Sequence, residues 1–153
     1  MYSCSFFGHR KIKCTKELKN VLHSTVENLI INKNISVFYF GGFGEYDELC
    51  YDIVTNLKQK HPHIKRVFVS TNEKSLRKNK ITYANNYEKH IVFPLNFNWW
   101  YQIIYFRNLA IVDNSNFILF YVFDKTNSGA GKILDYAIKQ KKEFINITQL
   151  IKE

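Results

Sequence analysis

Three short glycine-containing segments carry the residues that could do chemistry in this chain. They are GHR at Gly8–Arg10, GGFGEYD at Gly41–Asp47 and SGAGK at Ser128–Lys132. Glycine lets backbone N–H groups come close to a ligand, and a helix that begins at such a turn adds the positive end of its dipole. His9 and Arg10 add polar side chains that contact a phosphate or base, or simply end a strand. The three segments together predict a site for a phosphate group.

The hydrophobic pattern predicts the elements that must position these segments. Short apolar runs predict strands, and apolar residues at helical spacing predict helices between them. The predicted strands are Tyr2–Phe7, Ile35–Phe40, Ile64–Ser70, Phe117–Phe123 and Phe144–Ile147, and the predicted helices are Lys16–Ile31, Tyr46–Leu57, Trp99–Val112 and Ile133–Lys141. This alternation predicts one Rossmann-like, doubly wound α/β domain over residues 1–153, with a mainly parallel sheet of about five strands.

The polar stretch between the third strand and the third helix is predicted to be an irregular connection. It runs from Thr71 to Asn98 and carries a short strand around Ile91 to Phe93. In an open parallel sheet, ligands bind outside the carboxyl ends of the strands, where the strand order reverses. Each glycine-containing segment follows a predicted strand, so we expect all three to lie along that edge.

Composition limits the classes of function that the chain can have. It has 153 residues and a formal charge of +9, with lysine and arginine spread over its whole length, so its surface attracts anions. It has no apolar run long enough to span a membrane and no secretory signal pattern, so we expect a cytoplasmic protein without a membrane partner. The cysteines Cys4, Cys14 and Cys50 form no metal-binding or disulfide pattern, so we expect reduced thiols, no metal site and no cofactor.

The order of motifs along the chain resembles that of a known family. GHR follows the first strand, GGxGxxD opens the second helix, RNxxIVDxS begins at Arg107, and SGxGKxLxYA begins at Ser128. This order resembles the SLOG superfamily of Rossmann-like proteins, which includes the lonely-guy phosphoribohydrolases and the DNA-processing protein DprA. It resembles in particular the small single-domain YpsA-like bacterial members. The resemblance covers almost the whole chain and implies a homodimer.

The resemblance also implies roles for individual residues. In the lonely-guy enzymes, a glycine turn followed by Thr-x-x-Glu contacts phosphate and supplies a carboxylate, which acts with an arginine to cleave an N-glycosidic bond. Here Lys132 stands at the threonine position, Asp135 at the glutamate position and Arg107 in the region of the arginine. Arg107 and Asp135 are therefore the catalytic candidates. The predicted ligand-binding residues are Gly8, His9, Arg10, Gly41, Gly42, Gly44, Asp47, Arg107, Asn108, Ser128, Gly129, Ala130, Gly131, Lys132 and Asp135.

Each charged candidate also has an ordinary structural interpretation. Asp135 leans toward Gly131 and over the turn, where it contacts a ligand or only interacts with the helix dipole. Asp47 holds a sugar hydroxyl or caps the second helix. Arg107 binds a phosphate or is solvated on the outer face of its helix. A lysine at position 132 opposes the helix dipole unless an anion is bound beside it.

These observations leave three functions. The first, which needs only the glycine turns and basic residues, is a ligand-binding or sensor domain for a nucleotide or a nucleotide-derived small molecule. The second is a phosphoribohydrolase-like enzyme that cleaves the N-glycosidic bond of a nucleoside monophosphate. The third is a single-stranded nucleic-acid binder, which requires a basic track with exposed aromatic residues and is not favoured, because the sequence shows no such cluster.

Overall fold

The computed structural model describes residues 1–42, 44–94, 102–126 and 128–151. These residues form a six-stranded, all-parallel sheet between helices, which confirms the predicted Rossmann-like α/β fold. The elements are β1 (Tyr2–Gly8), α1 (Lys16–Asn32), β2 (Ile35–Phe40), α2 (Glu45–Lys60), β3 (Lys65–Ser70), α3 (Glu73–Thr82), β4 (Lys89–Val92), α4 (Ile103–Asp113), β5 (Phe117–Tyr121), α5 (Gly129–Lys139), β6 (Glu143–Asn146) and a short 3-10 helix (Ile147–Gln149).

The strand order determines where a ligand site is expected. The order in the sheet is β4-β3-β2-β1-β5-β6, so the chain moves outward from β1 to β4 and then crosses back to place β5 on the other side of β1. Right-handed connections put α1, α2 and α3 on one face of the sheet and α4 and α5 on the other. The strand order therefore reverses between β1 and β5, and ligands in this class of fold bind beside that point.

The alternation of side chains along the strands builds a core on each face. In β5, Leu119 packs in the core that includes residues of α1 and α2, while Ile118 and Phe120 pack in the core that includes residues of α4 and α5. Every residue of β5 is buried. The continuous apolar run in the sequence is thus explained by burial on both faces of a parallel strand.

The connection between β3 and α4 differs from the prediction. The expectation of an irregular stretch from Thr71 onward was wrong, because α3 occupies Glu73–Thr82. The side chain of Asn72 caps this helix by accepting a hydrogen bond of 2.8 Å from the N–H of Ser75. None of its residues is buried, so the sequence carries no apolar periodicity that would have revealed it. The short strand expected around Ile91 is present as β4.

The bounds of two predicted helices also change. The last helix begins at Gly129 rather than Ile133, because Ser128 caps it and the glycines form its first turn. For α4, the predicted start at Trp99 lies outside the described residues, and the described helix begins at Ile103. The three cysteines are free thiols. None of the described helices has the length and apolarity needed to cross a membrane.

Candidate functional site

A cleft of about 470 Å³ lies at the point where the strand order reverses. The ends of β1 and β2, the first turn of α2, one face of α4 and the start of α5 form its walls. Its volume is within the range of small-molecule sites, roughly 300–1,000 Å³. The predicted site residues that line it are Gly8, His9, Arg10, Gly41, Asp47, Arg107, Asn108, Ser128, Gly129 and Ala130.

Arg107 reaches from α4 across the carboxyl ends of β2 and β3, and only 5% of it is exposed. Its Nη1 donates hydrogen bonds to the carbonyl oxygens of Gly41 (3.1 Å) and Val69 (3.3 Å). Its Nε and Nη2 donate to Oδ1 of Asn108, at 3.3 and 2.9 Å. A guanidinium group has five N–H donors, so one donor on Nη2 has no acceptor among the described residues.

The electrostatic environment of Arg107 favours an anion. Burial lowers the pKa of Arg107 to about 10, which still leaves the group charged at neutral pH. The negative charge of Asp47 opposes this shift, yet no ion pair between described residues joins the two side chains. Among the described residues, the oxygens that accept hydrogen bonds from the guanidinium are uncharged. A buried cation of this kind is costly, and an anionic ligand in the cleft would lower that cost.

Asp47 serves the local fold and also lines the cleft. It is the third residue of α2, and its Oδ2 accepts a hydrogen bond of 3.1 Å from the N–H of Gly42. Burial raises the pKa of Asp47 to about 6, while the hydrogen bond from Gly42 and the charge of Arg107 act in the opposite direction. A carboxyl group with this pKa can accept or donate a proton near neutral pH. It can also accept hydrogen bonds from sugar hydroxyls.

The glycine turn before α2 is largely occupied by the protein itself. The N–H of Glu45 donates to the carbonyl of Arg10 (2.8 Å), and Oε1 of Glu45 accepts from the N–H of Ile12 (3.0 Å). Gly42 and Gly44, with φ of 76° and 93°, shape this turn but do not line the cleft. Phe43 lies outside the described residues. The turn therefore links the ends of β1 and β2 and offers a ligand fewer amide donors than the sequence predicted.

The first turn of α5 retains amide donors at the cleft. The side chain of Ser128 accepts a hydrogen bond of 2.9 Å from the N–H of Gly131 and donates one of 3.0 Å to the carbonyl of Asp124. The N–H groups of Gly129 and Ala130 have no acceptor within the part of the chain that the structure describes. Both residues line the cleft. These two donors, with the helix dipole, provide a place for an anion.

The later residues of the predicted turn do not line the cleft. Gly131 is buried in packing, and Lys132 and Asp135 are exposed. Oδ1 of Asp135 lies 3.8 Å from Nζ of Lys125. Apolar residues such as Leu134 take the inward face of α5, and this rotation turns Asp135 outward. The expectation that Asp135 reaches into the crevice is therefore not met, and the carboxylate that shares the cleft with Arg107 is Asp47.

The sequence analysis did not predict the apolar and aromatic residues that line the cleft. Ile104 and Ile111 line the cleft three residues before and four residues after Arg107, so one face of α4 forms this wall. That spacing could have identified both residues once Arg107 was chosen. Tyr39 and Tyr105 also line the cleft and offer aromatic rings beside it. Trp99 and Trp100, at the predicted start of the third helix, lie outside the described residues.

The described residues contain no group of three or more His, Cys, Asp or Glu side chains that could hold a metal ion. Comparison of the chain with protein-family models and with curated proteins finds no match. The chemistry of the cleft therefore carries the functional proposal.

Proposed function

We propose that this protein is a ligand-binding or sensor domain that holds a nucleotide, or a small molecule derived from one, in the cleft between the ends of β1 and β5. One observation carries the proposal. A buried arginine lines the cleft, hydrogen-bonds to uncharged oxygens, and keeps one donor without an acceptor among the described residues. The resemblance to the SLOG superfamily implies the same class of ligand.

The phosphate of the ligand lies between Arg107 and the start of α5 in this proposal. Arg107 supplies a positive charge and a remaining donor, and Gly129 and Ala130 supply amide hydrogens from a second direction. Charge-assisted hydrogen bonds are about twice as strong as neutral ones, so this end of the ligand provides most of the affinity. Ser128, which caps the helix, keeps the turn in position.

The sugar and base lie toward the remaining walls. The carboxylate of Asp47 accepts hydrogen bonds from ribose hydroxyls, because it is only half-buried and lines the cleft. The rings of Tyr39 and Tyr105 provide apolar surface for a base. A nucleotide matches this combination of anion donors, carboxylate and aromatic rings better than inorganic phosphate does.

A second candidate function is cleavage of the N-glycosidic bond of a nucleoside monophosphate. The observation that favours it is the presence of Asp47, with its pKa near 6, in the same cleft as Arg107. Asp47 would stabilise the oxocarbenium-like centre while Arg107 holds the phosphate. If this reaction occurs, free base is released from the substrate, and Asp47→Asn abolishes the release while Asp135→Asn retains it. The opposite result would support the assignment of Asp135 by resemblance.

We also propose that the protein is a homodimer that uses the face formed by α4 and α5. These helices pack against each other and expose Ile104, Tyr105 and Ile138 to solvent. Apolar residues on neighbouring helices favour association when they form a continuous patch. The resemblance to the SLOG superfamily implies the same oligomeric state.

To test the binding function, the protein is titrated with AMP, GMP, CMP, UMP and inorganic phosphate. Calorimetry measures the affinity, and thermal unfolding measures the stabilisation by each ligand. At least one mononucleotide should bind more tightly than phosphate. Arg107→Gln should weaken that binding at least tenfold, equivalent to about 1.4 kcal/mol. Arg77→Gln is the matched control, because Arg77 is exposed on α3 and does not line the cleft. Equal affinity in wild type and Arg107→Gln, with both folded by circular dichroism, would contradict the proposal.

A further inference from the structure

A second cleft, of about 530 Å³, shares His9 with the first. Its walls come from the loop after β1, the start of α1 and the residues that follow β5. The mononucleotide proposed above occupies only the first cleft. The second cleft is similar in volume and is also within the range of small-molecule sites, roughly 300–1,000 Å³.

The walls of the second cleft suit a group that is both planar and anionic. Lys11 and Lys13 are exposed in the wall, and Glu17 is the acidic residue of the lining. A second carboxylate, that of Glu45, lies beside them on the N–H of Ile12. Phe123 is 60% exposed, and its ring meets the ring of Tyr121 edge-on, with centroids 5.1 Å apart. An aromatic ring that is exposed beside two lysines can stack on a base while the lysines attract a phosphate.

His9 supplies a hydrogen-bond donor at the boundary between the two clefts. Its Nε2 accepts a hydrogen bond of 3.0 Å from the N–H of Phe123, so the neutral ring carries its proton on Nδ1. The described residues provide no acceptor for Nδ1. A phosphate that passes from one cleft to the other would supply that acceptor.

We propose that the natural ligand is two-headed, with two nucleoside-like groups joined through a phosphate bridge. This inference rests on the proposed function. The first head occupies the cleft at Arg107, the bridge passes His9, and the second head lies against Phe123 beside Lys11 and Lys13. A mononucleotide fills the first cleft only and leaves the contacts of the second unused.

The test compares the best-binding mononucleotide of AMP, GMP, CMP and UMP with its symmetric dinucleoside diphosphate. Isothermal titration calorimetry on the wild-type protein should show at least tenfold tighter binding of the dinucleoside diphosphate. In Lys11→Ala/Lys13→Ala, the ratio of the affinity for the dinucleoside diphosphate to that for the mononucleotide should fall below threefold. The affinity for the mononucleotide itself should change less than twofold. Phe123→Ala should reduce the same ratio without any change of charge.

The matched control is Lys16→Ala/Lys19→Ala, which removes the same charge from exposed positions of α1 that do not line the second cleft. It should leave the advantage of the dinucleoside diphosphate intact. An equal affinity of wild type for the two probes, or an equal loss in the two double variants, would overturn the two-headed ligand alone. Failure of every probe to bind would overturn the proposed function as well.

Discussion

Gly41 and the guanidinium of Arg107 pack closely against each other at the wall of the cleft. A Cβ atom at position 41 would lie 2.6 Å from Nη2 and 2.9 Å from Cζ of Arg107. Real side chains do not pack this closely, so the guanidinium would have to move away from the carbonyl of Gly41. The absence of a side chain at this position is therefore a requirement of the arginine, not of the backbone conformation.

We predict that Gly41→Ala weakens mononucleotide binding at least tenfold and lowers the free energy of unfolding by about 1–3 kcal/mol, because the added methyl displaces the guanidinium. Calorimetric titration and urea unfolding measure the two effects. If the clash with the guanidinium is the cause, the loss of stability in Gly41→Ala/Arg107→Lys is smaller than the sum of the single losses. Strict additivity would contradict this explanation.

Asp47 predicts a dependence of stability on pH. Burial raises its pKa in the folded chain to about 6, whereas an aspartate in an unfolded chain has a pKa of about 3.9. The folded state therefore binds the proton more tightly, and the contribution of this group to stability is present below about pH 4 and is lost as the pH rises through 6. The stability of wild type relative to Asp47→Asn should fall between pH 4 and pH 7 in urea unfolding. If the difference in stability between wild type and Asp47→Asn stays constant over this range, the raised pKa of Asp47 is disproved.

The first turn of α5 packs against the backbone that precedes it and also presents amide N–H donors to the cleft. A Cβ atom on Gly131 would lie 2.4 Å from the carbonyl oxygen of Lys125 and 2.7 Å from its Cα. The backbone before α5 cannot move away without losing the position of the Ser128 cap. Gly129, two residues earlier, has no atom within 4 Å of the corresponding position.

The two glycines therefore predict opposite effects of the same substitution. Gly131→Ala should lower the free energy of unfolding by about 1–3 kcal/mol, because a side chain is forced against backbone. Gly129→Ala should raise it by about 0.4–1 kcal/mol, because alanine restricts the unfolded chain and fits the helix. Urea unfolding of both variants checks the prediction, and an equal change in the two would show that the packing of Gly131 is not the determinant.

In the whole molecule, the cleft lies between the two helical layers, at the point between β1 and β5 where the strand order reverses. Arg107 comes from the α4 layer and Asp47 from the α2 layer, and both approach the ends of the central strands. A site built in this way depends on the relative position of the two layers. Any assembly that covers α4 and α5 would therefore influence the mouth of the cleft.

The proposed homodimer is tested at this scale. Sedimentation equilibrium should give twice the monomer mass for wild type, and Ile138→Glu should give a monomer, because a charge on the α4–α5 face would be buried at the interface. Ile138 does not line the cleft, so its variant leaves the lining residues unchanged. The matched control is Ile31→Glu, an exposed apolar residue of α1 on the opposite face of the sheet. A monomeric wild type would exclude the homodimer.

The alternation of apolar runs and helical periods was sufficient to predict the parallel sheet, because each pattern reports the burial of a single element. The glycine turn after the fourth predicted strand also placed Gly129 and Ala130 at the cleft, since a parallel sheet brings its strand ends to one edge. Arg107 was predicted from the resemblance of the motif order. Glycine motifs such as Gly41 and Gly131 were recognised as special positions. Their physical reason, close contact with Arg107 and with Lys125, involves partners that only the tertiary structure brings together.

The sequence alone determined the fold class and the edge of the sheet on which the cleft lies, because local patterns of burial and turn chemistry are sufficient for both. Only the tertiary structure decided that Asp47 rather than Asp135 faces the cleft, and that the amides of Gly42 and Glu45 are used by the protein itself. The rotation of α5 is set by the packing of its apolar face against the sheet, and the loop contacts join residues far apart in the chain. Such choices depend on several elements at once, so no single segment encodes them.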